Sequence, residues 1–131
     1  MIGLDTNVLV RYIAQDGTAQ AAAATNIIDG LDDEHQGFVS LVVIAELTWV
    51  FRRAYGADDK TIAGIIRTLL DSMEISVQDA DAVRRALDRT TGSSEFTDAL
   101  IAELGHQAGC VHTATFDRVA ARLPYMALIS P

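Results

Sequence analysis

Asp5, Glu46, Asp98 and Asp117 are the side chains of this sequence best suited to chemistry. Each stands where a structural carboxylate is poorly motivated. Asp5 ends the apolar run Met1-Ile2-Gly3-Leu4, and Glu46 interrupts Leu41-Val42-Val43-Ile44-Ala45-Glu46-Leu47. Asp98 opens the helix-like segment Asp98-Ala99-Leu100-Ile101-Ala102, and Asp117 follows Val111-His112-Thr113-Ala114-Thr115-Phe116. Carboxylates brought together repel, and burying one is costly unless positive charge compensates. A divalent cation is the usual compensation, so the pattern points to metal-dependent chemistry.

Each acid also has an ordinary structural reading. Asp5 can cap a helix beginning near Thr6, worth about 1 kcal/mol. Asp98 suits a helix N-terminus, where the dipole contributes ~0.3–1 kcal/mol. Asp117, before Arg118, suits a turn or cap. Glu46 fits such a reading least, because Val42, Val43, Leu47, Trp49 and Val50 around it are all apolar and leave no broad polar face. One shared explanation serves all these acids, whereas the ordinary readings need a separate one for each.

Other candidates carry less. His35, His106 and His112 have no mutual metal-ligand spacing, and His112 reads as a core histidine in a strand. Asp32-Asp33-Glu34 reads as a solvated loop, and Cys110, the sole cysteine, as a small core residue. No phosphate-cradling glycine loop follows the first apolar run. Leu4-Asp5-Thr6-Asn7 lacks the second aspartate, two residues on, that aspartyl-phosphate chemistry uses. Trp49, Phe51 and Tyr55 share one helix and suit either a core or an interface.

The elements that must position these side chains are short apolar runs alternating with longer helical patterns. Strands are expected at Ile2–Leu4, Gly37–Val39, Glu74–Val77, Val111–Thr113 and Met126–Ile129. Helices are expected from Thr18 to Ile28, stopping at Gly30, and from Ser40 as N-cap to about Tyr55. Asp58 starts another, with Ile62, Ile65, Ile66, Leu69 and Leu70 inward. Asp79 caps the next, with Val83, Ala86 and Leu87 inward and Arg84, Arg85, Asp88 and Arg89 outward. Gly92-Ser93-Ser94 reads as a loop before the Asp98 helix, which runs to about Gln107. Strands joined by helical crossovers imply an α/β fold with a mainly parallel sheet and helices on both faces. Ligands in such sheets bind beyond the carboxyl ends of the strands, where all of these acids can converge.

Composition narrows the class. A chain of 131 residues falls in the size range of one domain. Half its residues are hydrophobic, which marks a folded globular protein. The net charge of −8 argues against non-specific binding to DNA or acidic membranes. It does not exclude a nucleic-acid enzyme, because carboxylates of a metal site count as negative until ions bind. Lys60 is the only lysine, and the arginine bias suits phosphate contacts or interfaces alike. A lone cysteine excludes an intramolecular disulfide and cysteine-rich zinc sites. No signal-like segment precedes Ile2 and no apolar run approaches the ~20 residues of a membrane span, so a cytoplasmic protein without membrane contact is expected.

The blocks Leu4-Asp5-Thr6-Asn7-Val8-Leu9, Ser40 followed by Glu46-Leu47, Phe96-Thr97-Asp98-Ala99-Leu100-Ile101-Ala102 and Thr115-Phe116-Asp117-Arg118 resemble the PIN-domain family. More specifically, they are similar to the VapC toxins of bacterial toxin–antitoxin pairs. The resemblance implies a single domain over residues 1–131, a three-layer sandwich whose short, mainly parallel four- to five-stranded sheet is flanked by helices. It carries Asp5, Glu46, Asp98 and Asp117 over as acidic metal-site residues, with Asn7 and Thr115 as polar supports. Where many relatives have an aspartate three positions before Asp98, this chain has Glu95, whose longer arm still reaches an ion or an ion-bound water. The implied activity is a metal-dependent endoribonuclease. Its all-oxygen ligands favour Mg²⁺ or Mn²⁺ over zinc. Implied partners are RNA, a VapB-like antitoxin and a second copy in a homodimer, with Trp49, Phe51 and Tyr55 at a dimer or antitoxin contact. Arg11, Arg52, Arg53 and Arg118 are candidates to grip RNA against an ordinary reading as solvated or salt-bridged arginines. The alternatives are a non-catalytic RNA-binding or protein-interaction module and a DNA nuclease of the same fold, the latter without an obvious basic helix to track DNA.

Overall fold

Apolar runs of a few residues become strands and the longer periodic segments become helices, in the expected order. The computed structural model describes residues 1–90 and 94–131; Gly92 and Ser93 of the expected loop lie outside the described residues. The elements are β1 (Ile2–Gly3), α1 (Thr6–Ala14), α2 (Ala19–Asp29), β2 (Gly37–Val39), α3 (Leu41–Ala54), α4 (Asp59–Asp71), β3 (Ile75–Val77), α5 (Ala80–Arg89), α6 (Phe96–Gln107), β4 (Thr113–Thr115) and β5 (Met126–Leu128). They divide into two compact units, Met1–Gln78 and Asp79–Pro131.

In the first unit, β1, β2 and β3 form a parallel sheet in that order, with Ile2 opposite Gly37 and Gly37 opposite Ile75. Gly37 lets two leucine side chains lie against the strand. A β-carbon there would stand 2.6 Å from Leu4 Cδ1 and 2.9 Å from Leu31 Cδ1, so both leucines close over its backbone. Leu4, Leu9, Val39, Ile44, Leu47, Phe51 and Ile66 bury the core. Side chains cap three of the four helices of this unit. Thr18 accepts from Ala21 N, Ser40 from Val43 N and Asp58 from Thr61 N.

In the second unit, α5 packs on α6, burying Val83, Ala86 and Leu87 against Phe96, Ala99 and Leu100. Strands β4 and β5 pair in parallel, with Thr113 opposite Met126. Helix α6 meets β4 at Gly105, where a β-carbon would lie 2.5 Å from Thr113 Oγ1. Tyr125, whose φ is +70°, stacks on His106 at 3.8 Å between ring centroids.

The α/β class and the helix boundaries agree with expectation, and several details do not. The strands are parallel throughout, but they are hydrogen-bonded as a three-stranded and a two-stranded sheet. Ile2 N and Leu4 N both donate to the β2 segment, whereas Thr113 N donates to Tyr125 O and Ile129 N to Thr115 O. The fourth strand also starts two residues later than Val111, because its partner begins opposite Thr113. Residues 110–112 therefore lie outside the ladder. Val111 is 92% exposed, and Cys110 and His112 are exposed rather than core residues. Asp79 occupies the N-cap of α5 with a left-handed backbone (φ +47°), and its side chain makes no cap hydrogen bond.

Candidate functional site

In the first unit, Asp5 follows the carboxyl end of β1 and Glu46 sits on the second turn of α3, the helix leaving β2. Asp5 holds the N-cap position of α1 with an extended backbone, yet its side chain makes no cap hydrogen bond. Thr18, Ser40 and Asp58 all cap their helices with their side chains, so the ordinary reading of Asp5 fails.

Glu46 shares the outer face of α3 with Val42 (69% exposed) and Trp49 (61% exposed), so neighbours expected inside stand on the surface beside it. The helix buries Val43, Ile44, Leu47, Thr48 and Phe51 instead. Thr6 ties the two acidic segments together. Its buried hydroxyl donates to Glu46 Oε1 at 3.0 Å, from the residue directly after Asp5. Sequence reasoning passed over Thr6. The available signal was a hydroxyl residue opening a helix whose cap carboxylate had another possible use. Asn7 turns elsewhere, its amide donating to Gln20 Oε1 at 3.4 Å.

The second unit gathers three further acids. Asp98 lies in the first turn of α6, and Glu95 holds that helix's N-cap position without a side-chain cap bond. Asp117 follows β4, where its Oδ1 accepts from Val119 N at 2.8 Å and Ala120 N at 3.2 Å. Thr115 Oγ1 in turn accepts from Asp117 N at 3.0 Å, so the support it gives runs through the backbone. Burial pushes the Asp98 carboxyl above its ordinary value, and the charges of Asp117 and Glu95 push it the same way. Burial and the two neighbouring acids thus oppose the favourable helix N-terminus at Asp98 and together outweigh it.

Oxygen donors of this kind suit a hard divalent cation. Among the described residues, no group of three or more His, Cys, Asp or Glu side chains forms a set that could hold a metal ion. Mg²⁺, which keeps much of its water and takes only one or two carboxylates together with substrate phosphates, is the cation whose needs a smaller oxygen set meets.

The candidate RNA-gripping arginines separate. Arg11 pairs with Asp16, and Arg52 pairs with Asp59 at 2.6 Å. The Arg53 guanidinium lies 5.7 Å from the Trp49 ring centroid. Arg118 is exposed beside Asp117. Of the three aromatics, Trp49 and Tyr55 are exposed, whereas Phe51 is 5% exposed and belongs to the core. Another unforeseen acid is Glu103, 2% exposed and ion-paired to Arg85 and Arg89 at 3.0 and 2.7 Å. The spacing of those arginines, four apart on α5, was the signal for it.

The family model for the PIN domain matches residues 2–124, a span that runs through both units. No curated protein matches the chain. PIN domains are generally nucleases and typically use divalent metal ions. No helix among the described residues is long and apolar enough to cross a membrane. With almost its entire length matched, the chain belongs to the PIN domain family.

Proposed function

We propose that this protein is a metal-dependent endoribonuclease that hydrolyses RNA phosphodiester bonds as the toxin of a toxin–antitoxin pair. The observation that carries the nuclease reading is the grouping of Asp98, Asp117 and Glu95 in the second unit, close enough for the charges of both neighbours to act on a partly buried Asp98. Such an environment disfavours a purely structural carboxylate and favours a cation from outside. In this reading residues 1–131 act as one cytoplasmic nuclease domain. The continuous family match through residues 2–124 supports the single domain.

Asp5, Glu46, Asp98 and Asp117 would serve Mg²⁺ or Mn²⁺, one or two of them directly and the others, with Glu95, through its water. The ion, when bound, supplies positive charge to the phosphoryl oxygens and acidifies the attacking water. The chain's own share is to fix its carboxylates. Thr6 restrains Glu46, and the hydrogen bonds of Thr115 and of Asp117 itself lock the turn after β4. Arg118, exposed beside Asp117, is the best placed of the candidate arginines to meet a phosphate.

The toxin reading rests on the four motif blocks. They imply a VapB-like antitoxin whose basic or apolar segment meets the acidic residues, and a homodimer. Exposed Trp49 and Tyr55 support such contacts; Phe51, being buried, does not contribute directly. Light scattering of the purified protein is expected to give a dimer mass, and a monomer would remove the homodimer from the proposal.

The deciding experiment incubates purified protein with total RNA and, separately, with single- and double-stranded DNA, with and without Mn²⁺. RNA cleavage that needs Mn²⁺ or Mg²⁺ is expected. Asp98→Asn should lower it at least about a hundredfold, some 2.7 kcal/mol of barrier. Cleavage of DNA alone would reassign the substrate. Undiminished RNA cleavage by Asp98→Asn would remove the acid from the reaction.

A further inference from the structure

Thr6 does something for Glu46 that no other residue of the first unit is seen to do. Glu46 projects from the exposed face of α3 on a side chain with three rotatable bonds, and left alone it would sample many rotamers. The Thr6 hydroxyl, itself 7% exposed, donates to Glu46 Oε1 at 3.0 Å across 40 residues of sequence. Thr6 is the first residue of α1 and is buried, so the donor is in place without any ligand. Because Thr6 follows Asp5 directly, the same hydrogen bond holds the Glu46 carboxylate toward the carboxyl end of β1. Only one Glu46 oxygen is committed by this bond, and a carboxylate has further acceptor capacity on the other.

We propose that Thr6 is a positioning residue that holds the Glu46 carboxylate in readiness for a divalent cation, and thereby sets metal affinity in the absence of RNA. This rests on the reading of Glu46 as a metal ligand. A side chain that orients a ligand typically changes metal affinity 10–100-fold when it is lost.

The test measures Mn²⁺ binding to RNA-free protein by calorimetry for wild type, Thr6→Val, Thr6→Ser, Glu46→Gln and the Thr6→Val/Glu46→Gln double variant. Unfolding midpoints are recorded alongside. Thr6→Val keeps the shape and removes the donor, and it should weaken Mn²⁺ binding about tenfold or more. Thr6→Ser keeps the donor and should bind within about threefold of wild type, since the hydroxyl inventory is unchanged. In the Glu46→Gln background, Thr6→Val should add no further loss, because its effect runs through that carboxylate. Wild-type affinity in Thr6→Val, equal loss in Thr6→Ser, or additive losses in the double variant would each overturn the inference. If Glu46→Gln itself leaves Mn²⁺ binding unchanged, the reading of Glu46 as a ligand fails, and the role of Thr6 goes with it. Should Thr6→Val unfold, Thr6→Ala removes the hydroxyl without adding bulk and is judged by the same criteria.

Discussion

Asp98 and Glu103 stand on the same helix, α6, and the protein treats their charges in opposite ways. Glu103 is almost fully buried, and the fold supplies Arg85 and Arg89 to meet it. Asp98 is partly buried, and the charges that act on it are those of Asp117 and Glu95. The chain can therefore neutralise a desolvated carboxylate with its own arginines, and it does so within one turn and a half of Asp98. Leaving Asp98 among acids costs stability that Glu103 shows to be avoidable. A site whose ion arrives from solution must keep that deficit, since a resident arginine would occupy the ion's place.

The sharpest way to break this comparison is to strip Glu103 of its partners. Arg85→Ala together with Arg89→Ala leaves a carboxylate at 2% exposure with no charge opposite. The cost expected in urea unfolding at neutral pH is about 3 kcal/mol, the lower end for an orphaned buried charge, because both arginines also reach water. A loss below about 1 kcal/mol, the scale of a surface pair, would mean that Glu103 is solvated and the contrast with Asp98 is false.

A smaller effect tests the framework that keeps Asp117 near Asp98. Gly105 lets α6 approach β4, with Thr113 Oγ1 where a β-carbon would fall. Gly105→Ala should overpack this contact, and after the ~1 kcal/mol of helix propensity that alanine adds the net loss expected is about 1 kcal/mol. Thermal unfolding with the Gly105→Ala/Thr113→Ala double variant checks it. Recovery in the double variant is expected, and none would show that the close approach is not what the glycine serves.

Much of this architecture was legible in the chain itself, for local reasons. Thr18, Ser40 and Asp58 start helices by capping, and a cap is written within four consecutive residues. The acids were legible as chemistry because each broke an apolar pattern. What escaped was non-local. Cys110 and His112 looked like core residues, but among the described residues no strand lies opposite them to bury them. Glu46 was expected among inward-facing neighbours, yet the turn of α3 puts Val42 and Trp49 outside with it. Asp79 and Asp58 look alike in sequence, and only the left-handed backbone of Asp79 turns its carboxylate away from capping. Glu103 and Thr6 each depend on a partner from another helix.

The finest test addresses Asp98 alone, through the dependence of stability on pH. Its carboxyl is raised above the ordinary value in the folded protein, so the folded state holds that proton more tightly than the unfolded chain does. By linkage, stability then falls as the pH rises from the ordinary carboxylate value through the raised one, and the penalty is complete above it. Asp98→Asn has no such proton to lose. It should be more stable than wild type at pH 7 by on the order of 0.5 kcal/mol, the scale of a partly exposed charge pair. That advantage should shrink toward zero as the pH drops below the ordinary carboxylate value, about 3.9. Urea titrations of both proteins at a series of pH values read the difference directly. A cation sharpens the result, because a ligand that binds only the folded protein stabilises it in proportion to how well it binds. Millimolar Mn²⁺ should close or reverse the gap at pH 7 by stabilising wild type more than Asp98→Asn. A variant less stable than wild type at pH 7 without metal would show that Asp98 is structural after all, and that α6 carries two carboxylates of the same kind.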